Sequence, residues 1–157
     1  MAMPTFLHDR HLIGDVLVFR KLITVTQLAH ALLVQRSEKG VFIGEILMRL
    51  GYAGEMDVVT ALVVQYNLPY IAVMRYHVEP CILGLIPSDL ARRKRLVPLD
   101  RIGNVLSVVV PHPPDAALRR EVEALTHCRM ATFISTRSEI DLAIEHFYPV
   151  PDHGGIK

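Results

Sequence analysis

The sequence predicts an α+β fold: an N-terminal helical subdomain of two helix–turn–helix repeats, followed by a small mixed α/β subdomain with about three strands. Three observations predict it. The first half repeats itself at a spacing of 30 residues. After Pro69 the apolar pattern changes from helical spacing to short runs broken by turn residues. The 157 residues are 51% apolar and 21% charged, which suits packed cores and excludes a disordered chain. The expected division is residues 1–70 for the tandem repeats, 71–148 for the α/β subdomain and 149–157 for a disordered tail.

The repeat pairs residues 12–35 with 42–65. Ile13/Ile43, Gly14/Gly44, Leu17/Leu47, Ala31/Ala61, Leu32/Leu62, Val34/Val64 and Gln35/Gln65 are identical, and Asp15/Glu45, Val16/Ile46 and Leu28/Val58 exchange like for like. In the first copy a short helix is expected near Gly14–Arg20. Thr24 then opens a longer helix, with Gln27 three residues on as its capping-box partner. That second helix carries Val25, Leu28, Ala29, Ala31, Leu32, Leu33 and Val34. Being apolar on more than one side, it is expected to lie buried between neighbours. In the second copy Ile46, Leu47 and Leu50 supply the short helix, Gly51 its left-handed terminus and Gly54 the cap of a helix to about Tyr66. Asn67-Leu68-Pro69 stops it. Neither copy hides its apolar face alone, so the two are expected to pack as a four-helix cluster with pseudo-two-fold character.

In the second half, Tyr70–Val73 reads as extended and Glu79–Leu85 as a short helix. Ser88 is expected to cap a helix over Asp89–Arg95. Leu96–Leu99 and Asn104–Val110 read as strands joined by a turn at Asp100–Gly103, the second apolar enough to be covered on both faces. Asp115 caps a helix to about Thr126, with Ala117, Leu118, Val122 and Leu125 facing inward. Arg129–Ser135 is the third strand, and Thr136 with Glu139 opens a last helix to about Phe147.

Composition and motifs narrow the function. Formal net charge is +1, so no long-range field draws the chain to nucleic acid or an anionic membrane. Residues 1–70 hold six basic and six acidic groups, and Val25–Gln35 lacks Lys and Arg, which argues against a DNA recognition helix. The longest uncharged stretch, Val58–Met74, holds Gln65, Asn67 and Pro69 and is 17 residues, short of a membrane span. Asp9 and Arg10 interrupt any secretory signal, and two cysteines make no disulfide framework; a cytoplasmic protein is expected. The eight histidines form no H-E-x-x-H and no zinc spacing with the cysteines, and neither G-x-S-x-G nor a nucleotide phosphate loop occurs. The expectation is a non-enzyme, with no metal and no required cofactor. Two features keep two readings each. Gly14 and Gly44 either permit close helix packing or expose backbone to a flat ligand. The run Arg92, Arg93, Lys94, Arg95 is either a solvated helix end or a docking patch for an acidic partner or anion.

The frame Ile13-Gly14-x-x-Leu17-Val18, Leu22-Ile23, Gln27-Leu28-x-x-Ala31-Leu32-x-x-Gln35, with its second copy ending Ala61-Leu62-x-x-Gln65, resembles the N-terminal domain of type II secretion ATPases and the related MshE N-terminal domain of pilus ATPases. Ile86-Pro87, Val97-Pro98-Leu99, Gly103-Asn104-Val105-Leu106 and Pro113-Pro114-Asp115 extend the likeness to about residues 10–148. The resemblance implies a regulatory module that docks to a secretion or pilus machinery protein, either an inner-membrane platform component or the ATPase, with Arg92, Arg93, Lys94 and Arg95 as partner contacts. It also implies cyclic di-GMP as a possible ligand held by Ile13, Gly14, Leu28, Leu32, Gln35, Ile43, Gly44, Val58, Leu62 and Gln65. An arginine opening each motif would read a guanine edge, because its planar fork donates two bonds. Here Leu12 and Phe42 stand at that position, Lys21 replaces the mid-motif glycine that Gly51 keeps, and His112 replaces an acidic residue. Arg10 is near but out of register. Weakened nucleotide binding follows. The ATPase motor that follows this domain in the family has no counterpart in the sequence, so a fragment of a longer ATPase or a stand-alone regulatory copy is expected.

Overall fold

A computed structural model describes residues 12–151. The expected disordered tail falls mostly on residues 152–157, outside the described residues. The chain divides into two compact units, Met1–Asn67 and Leu68–Lys157.

The first unit is built from four helices, α1 (Ile13–Phe19), α2 (Val25–Ser37), α3 (Ile43–Arg49) and α4 (Glu55–Tyr66). Thr24 and Gln27 form the anticipated reciprocal cap: the Thr24 hydroxyl accepts from the Gln27 amide at 3.1 Å, and Gln27 Oε1 accepts from the Thr24 amide at 2.9 Å. Asp57 Oδ2 does the second job for α4, accepting from the Gly54 amide at 2.8 Å. Helix α1 packs on α4 and α3 packs on α2, so each short helix meets the long helix of the other repeat. The core between them is Val16, Leu17, Ala31, Ile46, Leu47 and Ala61, three equivalent pairs, together with Ile23. Burying such aliphatic side chains stabilises by about 1.5–3 kcal/mol each.

One expectation fails here. Helix α2 is not buried between neighbours: Ala31 is its buried residue, while Val25, Leu32 and Leu33 are exposed. Apolar residues around a helix cover all its sides only if enough neighbours exist. In this four-helix arrangement α2 meets α3 and, less closely, α1.

The second unit carries a three-stranded sheet in the order β1-β2-β3, with β1 (Val97–Ile102), β2 (Val105–Val110) and β3 (Arg129–Ile134). β1 and β2 are antiparallel, with a register shift between Pro98 and Asp100; β2 and β3 are parallel, Val105 facing Arg129 through Val110 facing Ile134. The central strand is β2, and Leu106, Val108, Val109 and Val110 are buried, as its apolar run implied. The hairpin turn is tighter than expected. β1 continues through Asp100, Arg101 and Ile102, leaving Gly103 and Asn104 as the turn. Tyr70 bridges Ile134 in parallel on the other side of β3.

A 3₁₀ turn over Val73–Arg75, which takes Val73 out of the expected extended segment, and four α-helices complete this unit: α5 (Pro80–Leu83), α6 (Ser88–Lys94), α7 (Ala116–Thr126) and α8 (Arg137–Phe147). Asp115 Oδ1 caps α7 through the Leu118 amide at 2.7 Å, and the Thr136 hydroxyl caps α8 through the Glu139 amide at 3.1 Å. Two local expectations are corrected. Pro87, not Ser88, is the residue before α6, which begins at Ser88 without a side-chain cap. In α7, Leu118 and Val122 are buried, but Ala117 and Leu125 face solvent, because the helix is covered along one stripe only. The core joins Val73, Val78, Val97, Leu99 and Val109 to Ile140, Ala143 and Ile144 of α8.

Candidate functional site

The two repeats place their shared residues in matching geometry. Leu12 and Phe42 precede the short helices, and their carbonyls accept from Asp15 and Glu45 at 2.8 and 3.0 Å. After each short helix the chain turns through a left-handed residue, Lys21 (φ 59°) in one copy and Gly51 (φ 73°) in the other. The bonds around the turn repeat: Leu22 N to Leu17 O at 3.0 Å, and Tyr52 N to Leu47 O at 2.9 Å. Lys21 therefore adopts a conformation that favours glycine, at a cost of about 1–2 kcal/mol.

All ten residues implied as nucleotide contacts lie in this unit, mostly turned inward. Gly14 and Gly44 are buried near the starts of α1 and α3. A Cβ at Gly14 would stand 2.5 Å from Leu28 Cδ1, and one at Gly44 would stand 2.8 Å from Val58 Cγ1. The glycines thus let each short helix approach the long helix of its own repeat, so close packing accounts for both. Val58 and Leu62 are buried, and Ile13, Leu28 and Ile43 are half-buried against the core. Leu32 is exposed. Gln35 Nε2 donates to the Val41 carbonyl at 2.9 Å, tying the end of α2 to the strand of chain entering the second repeat. Gln65 Oε1 is buried and accepts no hydrogen bond from the protein. At the opening positions, Leu12 and Phe42 are 66% and 56% exposed. Arg10 lies outside the described residues.

The basic run sits in the last turn of α6 and just beyond, where cations suit the helix dipole. Much of it is engaged within its own unit. The Arg92 guanidinium donates to the Tyr148 carbonyl. Arg93 pairs with Glu121 at 3.4 Å and Asp89 at 3.7 Å, and Arg95 pairs with Asp141 at 3.1 Å. Lys94 is exposed. Exposed pairs of this kind are worth about 0–1 kcal/mol each, so they hold α6 in place without locking it. His112 is half-buried at the end of β2, beside the Pro113 carbonyl.

Sequence reading missed polar groups brought together across long separations. The Glu139 carboxylate accepts from the Tyr70 hydroxyl at 3.2 Å, 69 residues away in sequence, as well as from its near neighbour Ser135 at 2.7 Å. Burial first, and then the Glu139 charge and hydrogen bond, raise the Tyr70 phenol above its usual range. Burial alone pushes Tyr148 up to about 12; its hydroxyl donates to the Leu83 carbonyl at 3.0 Å. Arg119 reaches from α7 to the Met130 carbonyl at 2.8 Å and to Thr132 Oγ1 at 3.3 Å. No local motif signals pairs so far apart in sequence. Among the described residues no group of three or more His, Cys, Asp or Glu stands ready to hold a metal, and no helix is long and apolar enough to cross a membrane.

Known proteins share this arrangement. The MshEN domain model matches residues 66–154. The type IV pilus assembly ATPase PilB of Myxococcus xanthus is 32% identical over 136 residues, covering 87% of this chain and 24% of that protein. PilB of Thermus thermophilus is 27% identical over 139 residues, covering 87% of this chain and 16% of that protein. The chain therefore spans a quarter or less of these curated relatives. Both alignments are longer than either compact unit, so they run through both. Among solved structures, MshE with cdg (cyclic di-GMP) superposes with a TM-score of 0.76 at 26% identity, over 87% of this chain and 99% of that one. The N-terminal domain of XpsE shares the fold, with a TM-score of 0.70 at 24% identity over 87% of this chain and 93% of that one.

Proposed function

The chain belongs to the MshEN domain family, and on that premise we propose that it is a non-catalytic regulatory and protein-interaction module, docking in the cytoplasm to a component of a pilus or secretion machine. That component is an inner-membrane platform protein or the ATPase. One observation carries this reading. The residues opening the two repeats, Leu12 and Phe42, are apolar, equivalent in position and exposed. Such side chains gain by being covered by another protein, at about 25 cal/mol per Å² removed from water, and have no fork with which to read a base edge. Affinity capture from native membrane and cytoplasmic fractions tests it. Recovery of an identified pilus or secretion component supports the proposal; capture that yields none overturns it.

A second reading is a cyclic di-GMP receptor spanning the two repeats. It draws support from the likeness to MshE solved with that dinucleotide. Its motif glycines and glutamines are present, but the opening arginines are not. Each lost donor to a buried base edge costs about 1–3 kcal/mol, so binding would be weak. Titration calorimetry with cyclic di-GMP decides it: measurable heat near ~100 μM ligand, where a site of about −5.5 kcal/mol operates, supports the reading, and its absence from a folded sample removes it.

A further inference from the structure

The outward side of α2 combines apolar exposure with unbalanced charge. At about 3.6 residues per turn, Val25, Ala29, Leu32 and Leu33 share one side of the helix, away from the buried Ala31, and all four are exposed. Phe19, the last residue of α1, and Leu22, in the turn before α2, are exposed apolar residues just ahead of it in the chain. From Val16 to Ser37 there is no acidic residue. Arg20 and Lys21 precede the stripe in the chain, in the turn between α1 and α2, and Arg36 follows it in the last turn of α2. All three are exposed and none forms an ion pair among the described residues. The nearest following acid, Glu38, is already held by Arg49 at 2.7 Å.

We infer that this side of α2 receives an amphipathic helix whose apolar stripe is bounded at both ends by acidic residues. The inference rests on the docking reading above and names the partner's chemistry. A second copy of the same face is a poor occupant: in either orientation it would set cations against cations. An anionic lipid surface fits less well, because three basic groups fall below the four to eight that mark lipid-binding clusters. They also flank in sequence a stripe about three turns long, rather than clustering in one patch as a lipid-binding segment does.

The test uses the full chain and two synthetic helical peptides with the same leucine stripe, one ending in glutamates and one in lysines, followed by fluorescence anisotropy. The glutamate-ended peptide should bind at least ~10-fold more tightly, with the contrast shrinking as salt screens the ends. Val25→Glu with Leu33→Glu should abolish binding, and Arg20→Glu, Lys21→Glu and Arg36→Glu together should reverse the preference; all five positions are exposed, so these variants should keep their fold. Equal binding of the two peptides, or binding of neither, overturns the inference. So does sedimentation with phosphatidylserine vesicles in the absence of peptide binding. If Val25→Glu with Leu33→Glu leaves capture of a pilus or secretion component intact, docking stands and this surface falls. If the peptide contrast holds but no such component is captured, the surface stands and the docking reading falls.

Discussion

In the first repeat the chain turns between its helices through Lys21, in the second through Gly51, and the hydrogen bonds on either side agree to within 0.1 Å in length. Val16 and Ile46, Leu17 and Leu47, and Ala31 and Ala61 enter one core as matched pairs. The long helices then diverge. α4 buries Val58, Val59, Ala61 and Leu62, whereas α2 buries Ala31 and exposes Val25, Leu32 and Leu33. The two copies thus share backbone geometry and a common interface, while their outer surfaces differ. Fold is carried by what the repeats have in common. Binding roles are open to the exposed positions, both those the repeats share, Leu12 and Phe42, and those where they part, along α2.

The largest expected effect tests the shared part. Leu17 and Leu47 are both fully buried, so Leu17→Ala and Leu47→Ala should each cost about 2–5 kcal/mol in urea unfolding, and by similar amounts. A wide gap between them would break the equivalence. The next pair tests the divergence. Leu62→Ala removes a buried side chain and should cost about 2–4 kcal/mol, while Leu32→Ala, 42% exposed, should cost under about 1 kcal/mol.

The glycines give a finer contrast. At Gly44 an added methyl meets Val58, buried and stiff at its branched Cβ; at Gly14 it meets the tip of Leu28, which is half-buried and has room to swing. Gly44→Ala should therefore destabilise by about 1–2 kcal/mol and Gly14→Ala by clearly less, read as the difference between their urea midpoints. The smallest effect concerns the turns. No heavy atom lies within 4 Å of a Cβ built on Gly51, so Gly51→Ala should cost only the conformational penalty of about 1 kcal/mol. Lys21→Gly, which relieves the same conformation, should be neutral or raise the melting temperature slightly.

Much of this was legible in the sequence because it is local or repeated. The Thr24–Gln27 cap spans three residues, and the β2 core is a continuous apolar run. The equivalence of Gly14 and Gly44 follows from the 30-residue offset. What was not legible depends on counting neighbours or on distant partners. An apolar helix such as α2 reads as buried, yet periodicity does not reveal how many elements surround it. Asp100 and Arg101 look like turn residues, but β2 pairs with them and keeps β1 going. The run Arg92–Arg95 was legible as a charge cluster, but not its bonds to Tyr148, Glu121 and Asp141, which arrive from elsewhere in the fold while Arg92, Arg93 and Lys94 stay exposed. For the same reason the candidate nucleotide contacts were legible as a set but not as an interior one. Their identities repeat in sequence, whereas their burial is set by the packing of one helix against another.

The docking proposal is tested most directly by quantitative affinity capture from native membranes, with the full chain beside Leu12→Glu combined with Phe42→Glu. Both positions are exposed, so the variant should fold as the parent does. The parent should recover an identified pilus or secretion component, and the double variant should lose at least ~10-fold of it, as removal of about 1.4 kcal/mol of binding requires. Recovery of no such component, or equal recovery by parent and variant, would contradict the docking proposal.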